Sequence, residues 1–279
     1  MPFRWRPDGD FVRNVPFTRR VLPFIMRTRT QSTVLFEQKI DTSNTQIFLR
    51  SFRDLTGLHA TLLHLLIWAG TRVLRDRPRL NRFTAGGRLF QRRSIWISFS
   101  AKKRKTDDAP VVVVKRKIDP LWTFEELVGQ IESGINEGRS EKPSTSDKEM
   151  GLLFRLPVVL IASIVRLLMR LDHLGLLPGA FIRKDPLFAS MLIANLGSIN
   201  MDAGFHHLYE YGNIPIFVMA GRSQEEVVAG SDGKPVVRPM MTLRYSFDER
   251  IEDGLYAARA LQIIKELIEN PDRVSRGEK

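Results

Sequence analysis

Five histidines and no cysteine set the first limits on the chemistry open to this chain of 279 residues. Without a thiol there is no disulfide, thiolate metal site, iron–sulfur cluster or Cys nucleophile, a composition that fits a reducing cytoplasm. His59 and His64 stand five apart beside an apolar run and read as packed or capping groups rather than ligands. His206 and His207 are adjacent within a stretch rich in polar aromatics, 205–212 (FHHLYEYG), but neighbours in sequence point in different directions, which favours a structural role over joint action. There is no phosphate-binding glycine loop, no G-x-S-x-G elbow, no H-E-x-x-H and no EF-hand loop, and no metal site is expected.

Charge is the second signal. Lys and Arg number 43 against 31 Asp and Glu, a net +12, and the excess lies in residues 1–120, with 25 basic and 9 acidic side chains, while 121–279 hold 18 and 22. Such asymmetry fits a polyanion, the phosphates of a ligand, an acidic partner or simply a solvated basic face. The densest run, Lys102 to Lys105, lacks interleaved aromatics for base stacking and reads as a basic loop, so no nucleic acid is expected. The first residues have no apolar signal-peptide core. In the apolar stretch 151–177 the longest uncharged run is ten residues, 156–165, roughly half the ~20 needed to span a bilayer. That stretch is a buried helix, an amphipathic helix on a membrane surface, or a helix facing a partner.

The elements that must position these groups can be read in outline. The first thirty residues form an Arg-rich arm in which Pro16 and Pro23 discourage a continuous helix. Strands are expected at 33–40, 94–100, 110–117, 188–194, 214–220, 225–229 and 236–247, with a hairpin over 81–91 turning at Gly86 and Gly87. Helices are expected from about 41 to 57, from 58 to 77 with a stop at Pro78, from 124 to 136 with Thr123 as N-cap, and from 253 to 270 with a stop at Pro271. Residues 137–149 read as a polar surface loop. Mixed strands and helices without regular βαβ alternation predict a layered α/β (α+β) fold with a largely antiparallel or mixed sheet.

The C-terminal third carries a signature. The stretch 236–254 (VVRPMMTLRYSFDERIEDG), followed by 257–261 (AARAL) and 267–271 (LIENP), resembles the catalytic domain of the 2-oxoacid dehydrogenase (dihydrolipoamide) acyltransferases, which share the chloramphenicol acetyltransferase-like fold. Further matches follow in order: 17–20 (FTRR) is similar to the family's N-terminal arm, 77–83 (RPRLNRF) to its P-x-L-N turn, and 194–197 (ANLG) to its S-N-L-G strand end. The resemblance implies one domain over 16–279 after a 1–15 extension; against the family pattern, the sequence adds an apolar insertion at about 150–182, and no lipoyl or partner-docking domain is expected in it. It also implies a homotrimer. The charged end at 271–279 differs from the apolar knob that builds larger family cores, leaving larger assembly or membrane-surface contact to residues 150–177.

By the same resemblance the family's D-H-R-x-x-D-G motif is Asp248 to Gly254, with Glu249 at the place of the catalytic histidine. That imidazole takes a proton from the thiol of coenzyme A or dihydrolipoamide. An imidazole near ~6.5 suits the task, whereas a carboxylate near ~4.3 is in general a weaker base and brings negative charge beside a developing thiolate, although burial can raise a carboxylate toward neutrality. Ala194 stands where the family has the serine that steadies the oxyanion, and losing such a donor costs on the order of 10²–10³ in rate. Arg250 and Asp253 are implied to hold the active-site turn by pairing, and Asn195 is implied to face the cofactor. The expectation is therefore a cytoplasmic, trimeric relative of the CoA-dependent acyltransferases, with weak or no conventional activity and no lipoyl group of its own, kept for assembly or for binding coenzyme A or acyl-CoA. Two alternatives remain: an active enzyme on another acceptor using Glu249, His206 or His207, and a basic peripheral membrane or scaffold protein.

Overall fold

In the computed structural model, which describes residues 5–102, 111–139 and 156–272, the elements run in chain order as β1 (Trp5–Arg6), β2 (Gly9–Phe11), α1 (Phe17–Ile25), β3 (Thr33–Asp41), α2 (Ser43–Thr56), α3 (Leu62–Asp76), β4 (Arg82–Ala85), β5 (Arg88–Arg92), β6 (Ile95–Lys102), β7 (Val111–Ile118), α4 (Phe124–Arg139), α5 (Val158–Leu174), α6 (Gly179–Lys184), β8 (Met191–Asn195), β9 (Ile216–Ala229), β10 (Pro235–Asp248) and α7 (Gly254–Glu269). The β-branched and aromatic runs pair into a six-stranded sheet of order β3-β10-β9-β8-β6-β7. β8 is parallel to both β6 and β9 and the other pairs are antiparallel, the mixed sheet expected of a layered α/β fold.

Alternation along the strands divides the core between two faces. Met191 and Ile193 of β8 join the larger cluster, with Leu65, Ile67, Ile97 and Tyr245, while Leu192 and Ala194 join a smaller one with Phe217 and Met219 on the other face. Helix α3 is apolar on nearly every side because it is covered on nearly every side, packing on α4, α7, β6 and β8. It begins at Leu62, later than expected, because Thr61 stands outside the first turn and its N–H donates to His64 Nδ1 at 3.0 Å. His64 is thus the capping group the sequence predicts, while His59 is exposed. Thr123 and Glu126 exchange bonds at the start of α4 as a second capping box.

Three expectations change. Residues 17–25 are helical despite both prolines: Pro16 precedes the first turn, where no intrahelical N–H is required, and Pro23 falls near the end, where little ladder is left to lose. The expected strands 214–220 and 225–229 are one strand, β9, because its ladder to β10 continues past a bulge through Met241/Ser223 and Met240/Gln224, although the polar residues there break the apolar pattern. The apolar segment is not buried within the chain: α5 has no buried residue, and Val158 and Val159 are 80% and 78% exposed. Only its later turns are held, with Leu168 and Leu171 against Phe181 and Phe188. The loop expected at 137–149 lies largely, and the basic run beyond Lys102 wholly, outside the described residues. No helix among the described residues is long and apolar enough to cross a membrane.

The first residues are built into the fold. β1 and β2 extend the β4–β5 hairpin into a second sheet of order β1-β2-β5-β4. Arg6, 1% exposed, donates to Asp8 at 2.9 Å and to the Asp172 carboxylate at 2.7 Å, tying this sheet to α5. Burial pushes the Asp8 carboxyl up, but Arg6 and Arg92 outweigh it and hold it below its ordinary value.

Candidate active site

The last strand delivers the signature to one turn. β10 ends at Asp248, whose main-chain N–H donates to Pro215 O, and the chain reverses through 249–253 into α7. The Asp248 carboxylate is fully buried and takes Arg250 as a bidentate partner, Nε to Oδ1 and Nη2 to Oδ2, both 2.8 Å. Arg29 brings a second guanidinium to 3.7 Å from Oδ2. The partner of Arg250 is therefore Asp248 and not Asp253, correcting the pairing expected from the resemblance. Asp253 is instead the N-cap of α7, its Oδ1 accepting from Tyr256 N at 2.8 Å, a bond that with the helix dipole holds its carboxyl below the usual range.

Distant motifs converge on this turn. From the N-terminal arm, Arg19 Nη1 donates to Glu249 O at 3.0 Å, and Ser32 O accepts from Glu249 N at 2.9 Å. The P-x-L-N segment forms a short 3-10 turn, Pro78–Asn81, and places Arg79 and Arg82 against Glu252 at 3.5 and 3.2 Å, with Arg19 at 3.6 Å on the same carboxylate. Sequence reasoning missed this three-arginine clasp, since Glu252 falls at an unspecified position of the motif.

Glu249 itself is exposed, held by its main chain while its side chain carries no framework bond. Two clefts flank the turn and meet at Arg250. One, of about 480 Å³, lies between Arg27, Arg29, Met169, His173 and Tyr211, and the other, of about 610 Å³, between Phe11, Arg13, Phe17, Arg20 and Arg88. Glu249, His206 and His207 line neither. The two histidines do not diverge as expected of neighbours, since their rings stack at 5.0 Å; His206 also packs on Phe217 at 4.4 Å, and the Nδ1 atoms of both face main-chain carbonyls rather than a carboxylate.

Ala194 is elsewhere. In register it lies level with Met219 of β9 and Arg244 of β10, five residues short of Glu249 and two strands away. At ~3.4 Å per residue and ~4.8 Å per strand this separates the two positions by roughly 20 Å, so one chain does not bring them together. Ala194 faces the apolar cluster of Ala203 and Met219 and offers no donor. Next to it Asn195 Oδ1 is buried without a hydrogen-bond partner. Gly197 closes the motif for a steric reason: a methyl there would fall 2.6 Å from Gly221 O. Among the described residues no group of His, Asp or Glu is arranged to hold a metal ion.

Residues 185–275 match the family model of the 2-oxoacid dehydrogenase acyltransferase catalytic domain. Over 50 residues the chain is 50% identical to the dihydrolipoyllysine-residue succinyltransferase component of the 2-oxoglutarate dehydrogenase complex of Rickettsia bellii, a match covering 18% of this chain and 12% of that relative. Among solved structures, a probable dihydrolipoamide acetyltransferase from Listeria monocytogenes aligns over 97% of this chain and 98% of its own, with TM-score 0.63 at 18% identity. A chloramphenicol acetyltransferase aligns over 94% and 98%, with TM-score 0.53 at 11% identity. The chain thus has the chloramphenicol acetyltransferase-like fold throughout, and within it residues 185–275 carry the signature of the 2-oxoacid dehydrogenase acyltransferase family.

Proposed function

We propose that this protein is a CoA-dependent acyltransferase relative whose site has lost its conventional chemistry while keeping its frame, and that it serves in a homotrimer as an assembly or acyl-CoA-binding component. The observation that carries this reading is the contrast at the turn. The Asp248–Arg250 pair, the Asp253 cap and the arginine clasp on Glu252 are all formed, yet Glu249 stands where the thiol-activating imidazole belongs. At the other position Ala194 cannot donate to an oxyanion. The ordinary reaction needs a base to take the thiol proton and a donor to meet the carbonyl oxygen as sulfur attacks. Arg29 and Arg250 beside the cleft supply positive charge for an anionic ligand but no base. The wide separation of residues 194 and 249 supports a site shared between copies.

The test is acyl transfer from acetyl-CoA to dihydrolipoamide. Turnover at or near background, with acetyl-CoA binding retained, is expected. Turnover at ordinary enzymatic rates that Glu249→Ala abolishes would overturn the reading. One observation favours a second role at a different surface: the apolar first turns of α5, with Val158, Val159 and Leu160 exposed and Arg166 and Arg170 following, fit contact with an anionic membrane. Vesicle flotation that is indifferent to anionic lipid would remove that role.

A further inference from the structure

At the far edge of the large sheet, four strands from Glu249, lies a smaller cavity of about 220 Å³ that the acyltransferase reading does not use. Five cationic side chains line it, Arg92, Arg93, Lys115, Lys117 and Arg183, against one carboxylate, Asp8. Asp8 is already engaged by Arg6 at 2.9 Å and by Asn213 Nδ2 at 2.8 Å, and Arg93 is paired outward with Asp10 at 2.7 Å. The floor is Arg92, 4% exposed, which reaches Asn213 Oδ1 through Nη2 and pairs with Asp8 Oδ2 through Nη1 at 3.6 Å, while its Nε is buried with no hydrogen-bond partner. The positive charge of this buried guanidinium favours an anion in the cavity above it.

Lys115 forms the wall. Its Nζ donates to Ile182 O at 2.6 Å and Asp185 O at 3.0 Å, which leaves the third N–H of an ammonium free, and it lies 4.9 Å from the centre of the Trp96 ring. Lys117 and Arg183 are exposed and form the rim. We propose that this cavity binds a tetrahedral dianion of the phosphate class, with Lys115 Nζ as the inner donor, Lys117 and Arg183 as outer ones and the buried Arg92 supplying positive charge from the floor. Its source is either free inorganic phosphate or the phosphomonoester end of a larger molecule whose remainder leaves over Trp96.

The site has a built-in proton linkage. Burial, with Arg92 adding to it and Asp185 and Asp8 opposing it, lowers Lys115 to about 7, while Lys117 and Arg183 add no negative charge. A bound dianion favours the ammonium, so binding takes up a proton above neutrality and weakens as pH rises. If the amine stays protonated in the complex, affinity falls about 30-fold between pH 6 and 8.5.

Calorimetric titration of the full chain with sodium sulfate, dianionic across this range, at constant ionic strength should give one saturable site. Lys117→Gln and Arg183→Gln, both at the surface, should each weaken it about tenfold, whereas Arg222→Gln, a distant, half-buried arginine paired with Asp202, should not. Lys115→Met should flatten the pH dependence. Glycerol 3-phosphate binding no tighter than sulfate assigns the site to the free anion, and tighter binding assigns it to a phosphomonoester. The proposal is overturned by the absence of saturable binding of either probe, by rim variants that bind as the native protein does, or by equal affinity at pH 6 and 8.5.

Discussion

Exchange of subunits between two single variants gives the proposed site its sharpest test. Glu249→His returns the thiol base and Ala194→Ser the oxyanion donor. Glu249→His should not unsettle the fold, because the Glu249 side chain makes no framework bond, whereas Ala194→Ser buries a hydroxyl beside an apolar cluster at a cost of about 1–3 kcal/mol unless it is hydrogen-bonded. Returning a base is worth roughly 10²–10⁴ in rate and an oxyanion donor roughly 10²–10³, so each single variant should lie far below the double variant. Within one chain the positions are roughly 20 Å apart along the β8–β9–β10 register, too far to act on one carbonyl. If each site takes residue 249 from one copy and residue 194 from the next around a ring, an equal mixture of the single variants, dissociated and reassembled, places both groups in about a quarter of the sites. Acetyl transfer from acetyl-CoA to dihydrolipoamide should then run at about a quarter of the double variant's rate. A mixture no faster than its two components, beside an active double variant, would refute the shared site. A silent double variant would refute the claim that the frame is preserved.

Two further outcomes concern the frame. Burial, reinforced by His59, lowers His64 to about 4, and the Glu132 carboxylate 3.4 Å from Nε2 is too exposed to offset it. Since this lies below the ~6.5 of an unfolded chain, which then binds the extra proton, the contribution is full above that pH and is lost as pH falls toward 4, amounting to about 2 kcal/mol by pH 5. Urea unfolding at pH 8 and pH 5 should show His64→Gln losing about 2 kcal/mol less than the native protein, and equal losses would contradict the assignment. Asp172→Ala strips the deeply buried Arg6 of one of its two carboxylate partners and should cost about 3 kcal/mol in the same assay; a loss under about 1 kcal/mol would mean the contact does not anchor α5.

The parts of this molecule that were legible in the sequence are those whose cause is local. Thr123 three residues before Glu126, Gly86-Gly87 between short strands, and Pro78 after an apolar helix all announce themselves, and so did the Asp248 to Gly254 signature. What escaped depends on partners far along the chain. Arg6 looked like one more solvated cation near a basic N-terminus, yet its partner Asp172 is 166 residues away. The continuity of β9 comes from its ladder to β10 rather than from side-chain alternation, so a polar stretch hid it. Assigning Asp253 to Arg250 failed because two aspartates, Asp248 and Asp253, flank that arginine in sequence and only the turn decides which one reaches it. The fate of α5 was undecidable from composition, since an apolar helix reads the same whether covered or bare.

The close approach of Gly197 to Gly221 has a consequence for how such chains evolve. A glycine required because a backbone must pass within van der Waals reach is indifferent to whether a reaction occurs nearby, and the buried Asp248–Arg250 pair holds its turn on the same terms. Ala194 and Glu249, the two positions that differ from the family motif, are ones whose side chains make no hydrogen bond in the frame. Selection for folding alone would then preserve most of a catalytic signature while leaving its chemical letters free to drift.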